Sequence, residues 1–182
     1  MNPYIAGCVS LVFTVLVHAQ SAQSELFSAI GERLGYMQDV ALYKSMNGLP
    51  VYDPVREAVV LQQAVEDAQS AGLDPVTVEA FFQTQIALAK VIQYRYLADL
   101  QTQGFDQPPV DLHTDIRPRL ITLGAVIIEG IAASLHTSGP ITDAQFDVFA
   151  AELNLQYVNA QERQVLFDAL KEVRLSQQEN SD

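Results

Sequence analysis

Apolar residues recur every three or four positions along most of this sequence, the spacing that gathers them on one face of an α-helix. In the first such stretch, about 24–47, the series begins with Leu26, Phe27, Ile30 and Leu34. No stretch alternates apolar and polar residues for long enough to predict a β-strand. The pattern therefore predicts an all-α fold, a single-domain bundle of about six helices.

Short signals mark where the next helices begin and end. Asp53-Pro54 and Asp74-Pro75 each place an N-capping side chain directly before a proline in the first turn. Gly72 suits the position that follows a helix C-terminus. We therefore expect a second helix from Pro54 to just before Gly72, and a third over about 75–103.

The C-terminal half carries similar signals. A proline-rich loop at 104–110 precedes a fourth predicted helix, over about 114–137. Two capping boxes, in which a side chain and a residue three positions later satisfy each other's backbone N–H, predict two shorter helices after it. These boxes are Thr142 with Gln145 and Asn159 with Glu162.

The N-terminus carries an apolar run that is too short to span a membrane. Residues 5–17 contain no charge, but a spanning helix needs about 20 residues. Val17 and Ala19 lie three residues and one residue before a cleavage point after Ala19. We therefore expect 1–19 to be a secretory signal peptide and 20–182 a periplasmic or secreted protein without a stable membrane anchor. An uncleaved anchor is the rival interpretation.

Acidic residues outnumber basic ones by 22 to 10, and the formal net charge is −12. Such a charge repels polyanions, which argues against nucleic acid or an anionic membrane surface as a partner. An anionic small ligand would need a local cluster of the few lysines and arginines.

Several kinds of catalytic machinery are missing from the sequence. His113 and His136 lack metal-ligand spacing, and we interpret them as surface or helix-end residues. Cys8 is the only cysteine and would leave with the signal peptide, so neither a thiol nucleophile nor a disulfide is expected in the mature chain. No glycine-rich phosphate loop occurs. We expect no metal and no cofactor.

The positions of the cations are more informative. Arg33 and Lys44 are eleven residues apart, about three helical turns, so both project from nearly one face about 16 Å apart. Arg56 lies in the first turn of a predicted helix, where a cation opposes the helix dipole. Together they could bind a small anion, although cations on a solvated surface would show the same spacing.

Four segments, in this order and spacing, resemble a known family. They are GERLGYMQDVALYK (31–44), LPVYDPVREAV (49–59), AGLDPVTVEAFFQTQIALAKVIQY (71–94) and DIRPRL (115–120). The set resembles the all-helical, AroQ-type chorismate mutases, and among them the secreted, periplasmic γ subclass. The resemblance extends over about 24–135.

The resemblance implies a substrate pocket and the roles of its residues. Chorismate would rearrange to prephenate by a unimolecular Claisen reaction, towards phenylalanine and tyrosine. Arg33 and Arg117 would bind its two carboxylates, and Lys44 and Gln93 would donate to the ether oxygen. The hydroxyl side would be held by Asp53, Arg56 and Glu57. Arg119 is the alternative to Arg117.

The sequence departs from the family at two points. Ala89 stands where many relatives carry Ser or Thr, four residues before Gln93, so one carboxylate contact is expected to be lost. The disulfide of many secreted relatives is also absent. Because an amide donates at any pH, Gln93 predicts a rate that changes little between about pH 5 and 8.

The resemblance also implies a homodimer in which each site is formed within one chain. Two other functions remain open at this point. One is a non-catalytic helical periplasmic protein that binds an aromatic-pathway dicarboxylate in the same pocket, which Ala89 favours. The other is a structural helical module in which the seven positions are incidental.

Overall fold

The computed structural model describes residues 23–103 and 108–177. The predicted signal peptide, with its cleavage point after Ala19, lies outside the described residues. Every regular element in the described ranges is helical, and the predicted all-α fold is confirmed.

The first predicted helix forms as two consecutive segments, α1 over 23–35 and α2 over Met37–Met46. Tyr36 between them keeps helical backbone angles, so the two segments place their residues almost as one helix would. The backbone turns away at Gly48, whose positive φ of 65° suits glycine. The Leu49 N–H donates back to the Lys44 carbonyl at 2.8 Å and closes the helix end.

The next two helices follow the Asp-Pro signals. Helix α3 spans Pro54–Ser70, and the Asp53 side chain accepts the Arg56 N–H at 3.0 Å. Helix α4 spans Pro75–Gln103 and begins directly after Asp74. These bounds match the prediction because a side-chain cap followed by proline specifies a helix start locally.

The fourth predicted helix begins differently from the expectation. A π-helical turn, Leu112–Ile116, precedes α5, which spans Arg117–Ser138. The turn forms because the Asp111 carboxylate accepts the N–H groups of both His113 and Thr114, at 2.7 and 2.8 Å. Helix α5 is long and apolar enough to cross a membrane, but its inner side chains, among them Ile127, are packed in the protein core.

Two shorter helices complete the fold, and both predicted capping boxes are present. A 3₁₀ turn, Asp143–Gln145, leads into α6 over Phe146–Glu152, and α7 spans Ala160–Lys171. The last described residues return to the turn between α3 and α4.

Helix α4 is the central element and packs against α2, α3 and α7. Large aromatic side chains fill the core beside it. The Phe149 ring lies 5.4 Å from Phe27 and 5.0 Å from Phe167, so it joins α1, α6 and α7. This packing leaves a cavity on the other side of α4, towards α3 and the start of α5.

Candidate active site

One cavity, open at its mouth, lies between α1 and α2, α3, α4 and the first turn of α5. All seven side chains that the sequence predicted to form a pocket line it. They are Arg33, Lys44, Asp53, Arg56, Glu57, Gln93 and Arg117. The folding of one chain is therefore sufficient to bring them together.

Arg33 is the most deeply placed cation of the cavity. Its side chain leaves α1 between core residues, is only 6% exposed, and lies 5.6 Å over the Phe82 ring. Burial lowers its pKa to about 10, and the positive charge of Arg56 contributes to the decrease. Its Nε has no hydrogen-bond partner among the described residues. A buried guanidinium in this state is costly, and a bound anion would relieve the cost.

Lys44 is also buried, at the C-terminal end of α2. Its ammonium donates to the Val51 carbonyl at 2.9 Å. Burial lowers the pKa of Lys44, the negative charges of Asp53 and Glu57 oppose the decrease, and Arg117 adds to it. An ammonium has three N–H donors, so two remain for other groups after the bond to Val51.

Gln93 lies one helical turn after Ala89 on the cavity face of α4. Its side-chain N–H₂ donates to the Ala89 carbonyl at 3.2 Å and lies 3.8 Å from the Met37 sulfur. Its carbonyl oxygen is buried without a partner among the described residues. Because these contacts are long or missing, the amide is free to bond to a ligand.

The N-terminus of α3 supplies three more residues. Asp53 caps the helix, which fixes the backbone on which Arg56 and Glu57 stand. The pKa of Arg56 is lowered by burial and by the charge of Arg117, while Asp53 opposes the change. The mutual effect of these arginines shows that positive charge converges on the cavity from α3 and α5.

The sequence analysis missed Lys90, which also lines the cavity. Its ammonium forms a 2.8 Å ion pair with Glu57 and lies 5.3 Å from the Tyr52 ring centroid. Lys90 is three residues before Gln93, a spacing that places two side chains on neighbouring positions of a helix surface. That spacing was the sequence signal that could have pointed to Lys90 as a cavity residue. It does not predict the ion pair, because Lys90 and Glu57 are 33 positions apart in the sequence.

The two arginines at the start of α5 are separated by the fold. Arg117 lines the cavity and is half-buried, and its Nη1 lies 2.9 Å from His113 Nδ1. Arg119 is not among the cavity-lining residues, and its Nη1 lies 3.4 Å from the Tyr36 hydroxyl. Of these two arginines, Arg117 is therefore the one placed to contact a ligand in the cavity, and it is also the one preferred from the sequence.

The cavity suits a small dianion. Its lining holds five cations and two carboxylates, between apolar side chains such as Val40 and Leu112. No histidine or cysteine is among the lining residues, and no group of three or more potential metal ligands occurs in the described part of the chain. What the arrangement can do is bind, orient and stabilise negative charge with hydrogen-bond donors.

Comparisons with known proteins agree with this chemistry. The family described as chorismate mutase type II matches residues 20–94. A secreted chorismate mutase from Yersinia pestis is 32% identical over 169 residues, covering 91% of this chain and 89% of that protein. A monofunctional chorismate mutase from Enterobacter agglomerans is 33% identical over 165 residues, covering 91% and 90%.

Comparison of the fold with solved structures agrees with the sequence comparisons. The crystal structure of the secreted chorismate mutase from Yersinia pestis superposes with a TM-score of 0.77 and 32% identity, over 84% of this chain and 98% of that one. Because the sequence match extends over nine-tenths of the chain and the structural match over most of it, this protein belongs to the all-helical, type II chorismate mutases.

Proposed function

We propose that the chain converts chorismate to prephenate in the cavity described above. The observation that carries this proposal is the convergence of Arg33, Lys44, Arg56, Lys90 and Arg117 on one cavity, although the net charge of the chain is −12. The reaction is a unimolecular rearrangement with no covalent intermediate and no proton transfer. A site without nucleophile or acid–base machinery can therefore accelerate it, by holding the substrate compact and stabilising the developing charge.

Arg33 and Arg117 bind the two carboxylates. They approach the cavity from α1 and α5, and a guanidinium offers paired donors that match the two oxygens of a carboxylate. The buried Arg33, without a carboxylate partner among the described residues, supports an anionic ligand at this point. Binding would offset the cost of its burial.

Lys44 and Gln93 donate to the ether oxygen, where negative charge grows as the bond breaks. Both are buried and line the cavity, so their hydrogen bonds act in a medium of low dielectric. The Val51 carbonyl holds the Lys44 ammonium in place, which reduces the reorganisation needed during the reaction.

Glu57 accepts a hydrogen bond from the ring hydroxyl of the substrate, and Arg56 and the backbone around Asp53 lie beside it. Lys90 pairs with Glu57 at 2.8 Å and so holds the carboxylate in position. The pair is half-buried at one wall of the cavity. Lys90 is thus a positioning residue in this proposal.

We also propose that the protein is exported after cleavage following Ala19 and acts as a homodimer with each site in one chain. The Yersinia pestis relative is named a secreted enzyme, and the family match begins at residue 20. All seven predicted pocket residues already line one cavity within this chain, which supports a site that needs no partner residue.

The proposed activity is tested with purified 20–182 protein. Chorismate disappearance is followed by ultraviolet absorbance, and the product is identified as prephenate. Saturable turnover is the expected result. A folded protein that binds chorismate without turnover would instead indicate the dicarboxylate-binding protein, the alternative that Ala89 favours.

A further inference from the structure

The half-buried Arg117 has a polar contact with a histidine side chain. Its Nη1 lies 2.9 Å from Nδ1 of His113, four residues earlier, across the junction of the π-helical turn and α5. From the sequence, His113 was interpreted as a surface or helix-end residue. The structure places it beside the arginine that the proposed function assigns to a substrate carboxylate.

His113 is exposed to solvent, but its backbone is fixed and its ring has a packing contact. Its backbone N–H donates to Asp111 at 2.7 Å, which fixes the turn that carries it. Its ring packs edge-on against Tyr43 of α2, with the ring centroids 6.0 Å apart. Ile116 donates its N–H to the Asp111 carbonyl, five residues back, and this π-type bond sets the path of the backbone into α5. Such turns are frequent at functional sites.

The contact between His113 and Arg117 specifies one protonation state. A guanidinium only donates hydrogen bonds, so Nδ1 of His113 must carry the lone pair and the ring proton must lie on Nε2. A protonated imidazole has no acceptor and would place a second positive charge next to Arg117. The contact therefore exists only while His113 is neutral.

We infer that neutral His113 is a positioning residue, which holds the Arg117 guanidinium in the orientation that binds a substrate carboxylate. This inference rests on the proposed function of the cavity. Without the contact, the Arg117 side chain can leave this orientation, and substrate binding would weaken.

The test measures kcat and KM for chorismate in variants at position 113. We expect His113→Leu to raise KM by about threefold to tenfold, the loss typical of one hydrogen bond, with kcat nearly unchanged. His113→Gln, whose amide oxygen can accept a hydrogen bond, should keep the wild-type KM.

His136→Gln is the matched control, because His136 is an exposed histidine in the last turn of α5 and does not line the cavity. It should retain the wild-type kcat and KM. A wild-type KM in His113→Leu, or a KM in His113→Gln as high as in His113→Leu, would overturn the inference.

A second readout does not depend on turnover. In ¹⁵N NMR at about pH 8, Nδ1 of His113 should show the shift of an unprotonated nitrogen. A proton on Nδ1 would overturn the inference even if the protein were inactive. A folded wild type without turnover, combined with an unprotonated Nδ1, would count against the proposed function and leave the contact between His113 and Arg117 supported.

Discussion

The Lys44 ammonium and the Val51 carbonyl oxygen are joined by a 2.9 Å hydrogen bond across the turn between α2 and α3. Both residues are buried and both line the cavity. The bond fixes a flexible side chain and leaves two N–H donors for a substrate. The turn after α2, set by the positive φ of Gly48, thus determines where a donor in the middle of the cavity is placed.

Replacing Lys44 by alanine should reduce kcat by about 10²–10³, the effect of removing a preorganised donor from developing charge. The measurement is steady-state turnover of chorismate, with circular dichroism to show that the variant is folded. Lys171→Ala is a suitable control, because Lys171 pairs with Asp143 and Asp168 away from the cavity. A folded Lys44→Ala protein with nearly normal kcat would exclude Lys44 from the mechanism.

The pH profile should show an alkaline limb to which Lys44 contributes, together with the buried Arg33, whose pKa is lowered to about 10. Burial lowers the pKa of Lys44 from the ordinary value of 10.5, and only the protonated amine can donate all its hydrogen bonds. We expect kcat/KM, which reports the free enzyme, to fall as pH rises through a pKa below 10.5. A limb centred at or above the ordinary lysine value would contradict the assignment.

Where kcat/KM falls with rising pH, the contribution of Lys44 to the free energy of unfolding should rise. Because the pKa of Lys44 is lower in the folded state, the unfolded chain binds more protons between the two pKa values. The contribution of Lys44 to the free energy of unfolding therefore rises with pH there. Urea unfolding of wild type and Lys44→Met, compared across this range, isolates that contribution. An equal pH dependence in both proteins would show that Lys44 titrates normally.

Restoring a hydroxyl at Ala89 should improve substrate binding. Ala89 is buried and lines the cavity one helical turn from Gln93, so Ala89→Ser adds a donor without adding much volume. KM should fall by about threefold to tenfold with little change in kcat, as expected for one ground-state hydrogen bond. Ala87→Ser on the exposed side of α4 is the control. An unchanged KM would mean that the substrate carboxylate does not reach this turn.

Exchanging Gln93 for glutamate should make kcat depend on pH. The wild-type amide donates at every pH, so its kcat should be nearly flat between about pH 5 and 8. The carboxyl of Gln93→Glu donates only when protonated, and burial raises the pKa of such a group. Its kcat should therefore fall as pH rises through this range. A flat profile in the variant would mean that the side chain makes no donor contact in the transition state.

Local signals were enough to predict the helices. Caps and prolines at Asp53 and Asp74, and the glycine at Gly72, specify helix ends within a few residues of sequence, and the structure has them. Local signals were not enough to predict all residues of the pocket. Helical spacing placed Arg33 and Lys44 on one face, and its place in a first helical turn singled out Arg56. The other four members came from the family resemblance.

What the sequence could not predict were contacts between distant residues. The ion pair of Lys90 with Glu57 and the packing of His113 on Tyr43 join side chains from different elements. The π-helical turn before α5 arises because Asp111 accepts two backbone N–H groups at once, a geometry that propensity does not encode. The ion pair and the ring contact depend on how the helices are arranged, which periodicity leaves undetermined. The turn depends instead on one local side-chain cap.

Two glycines of α1 should respond oppositely to alanine. A Cβ at Gly31 would lie 2.5 Å from the Glu152 carbonyl oxygen at the end of α6, whereas a Cβ at Gly35 meets nothing within 4 Å. Gly31→Ala must push the helices apart, which should lower the free energy of unfolding by about 1–3 kcal/mol. Gly35→Ala should raise it by about 0.5–1 kcal/mol, because alanine favours the helix. Denaturant midpoints measure both, and a Gly31→Ala protein as stable as wild type would mean that α6 does not pack this closely against α1.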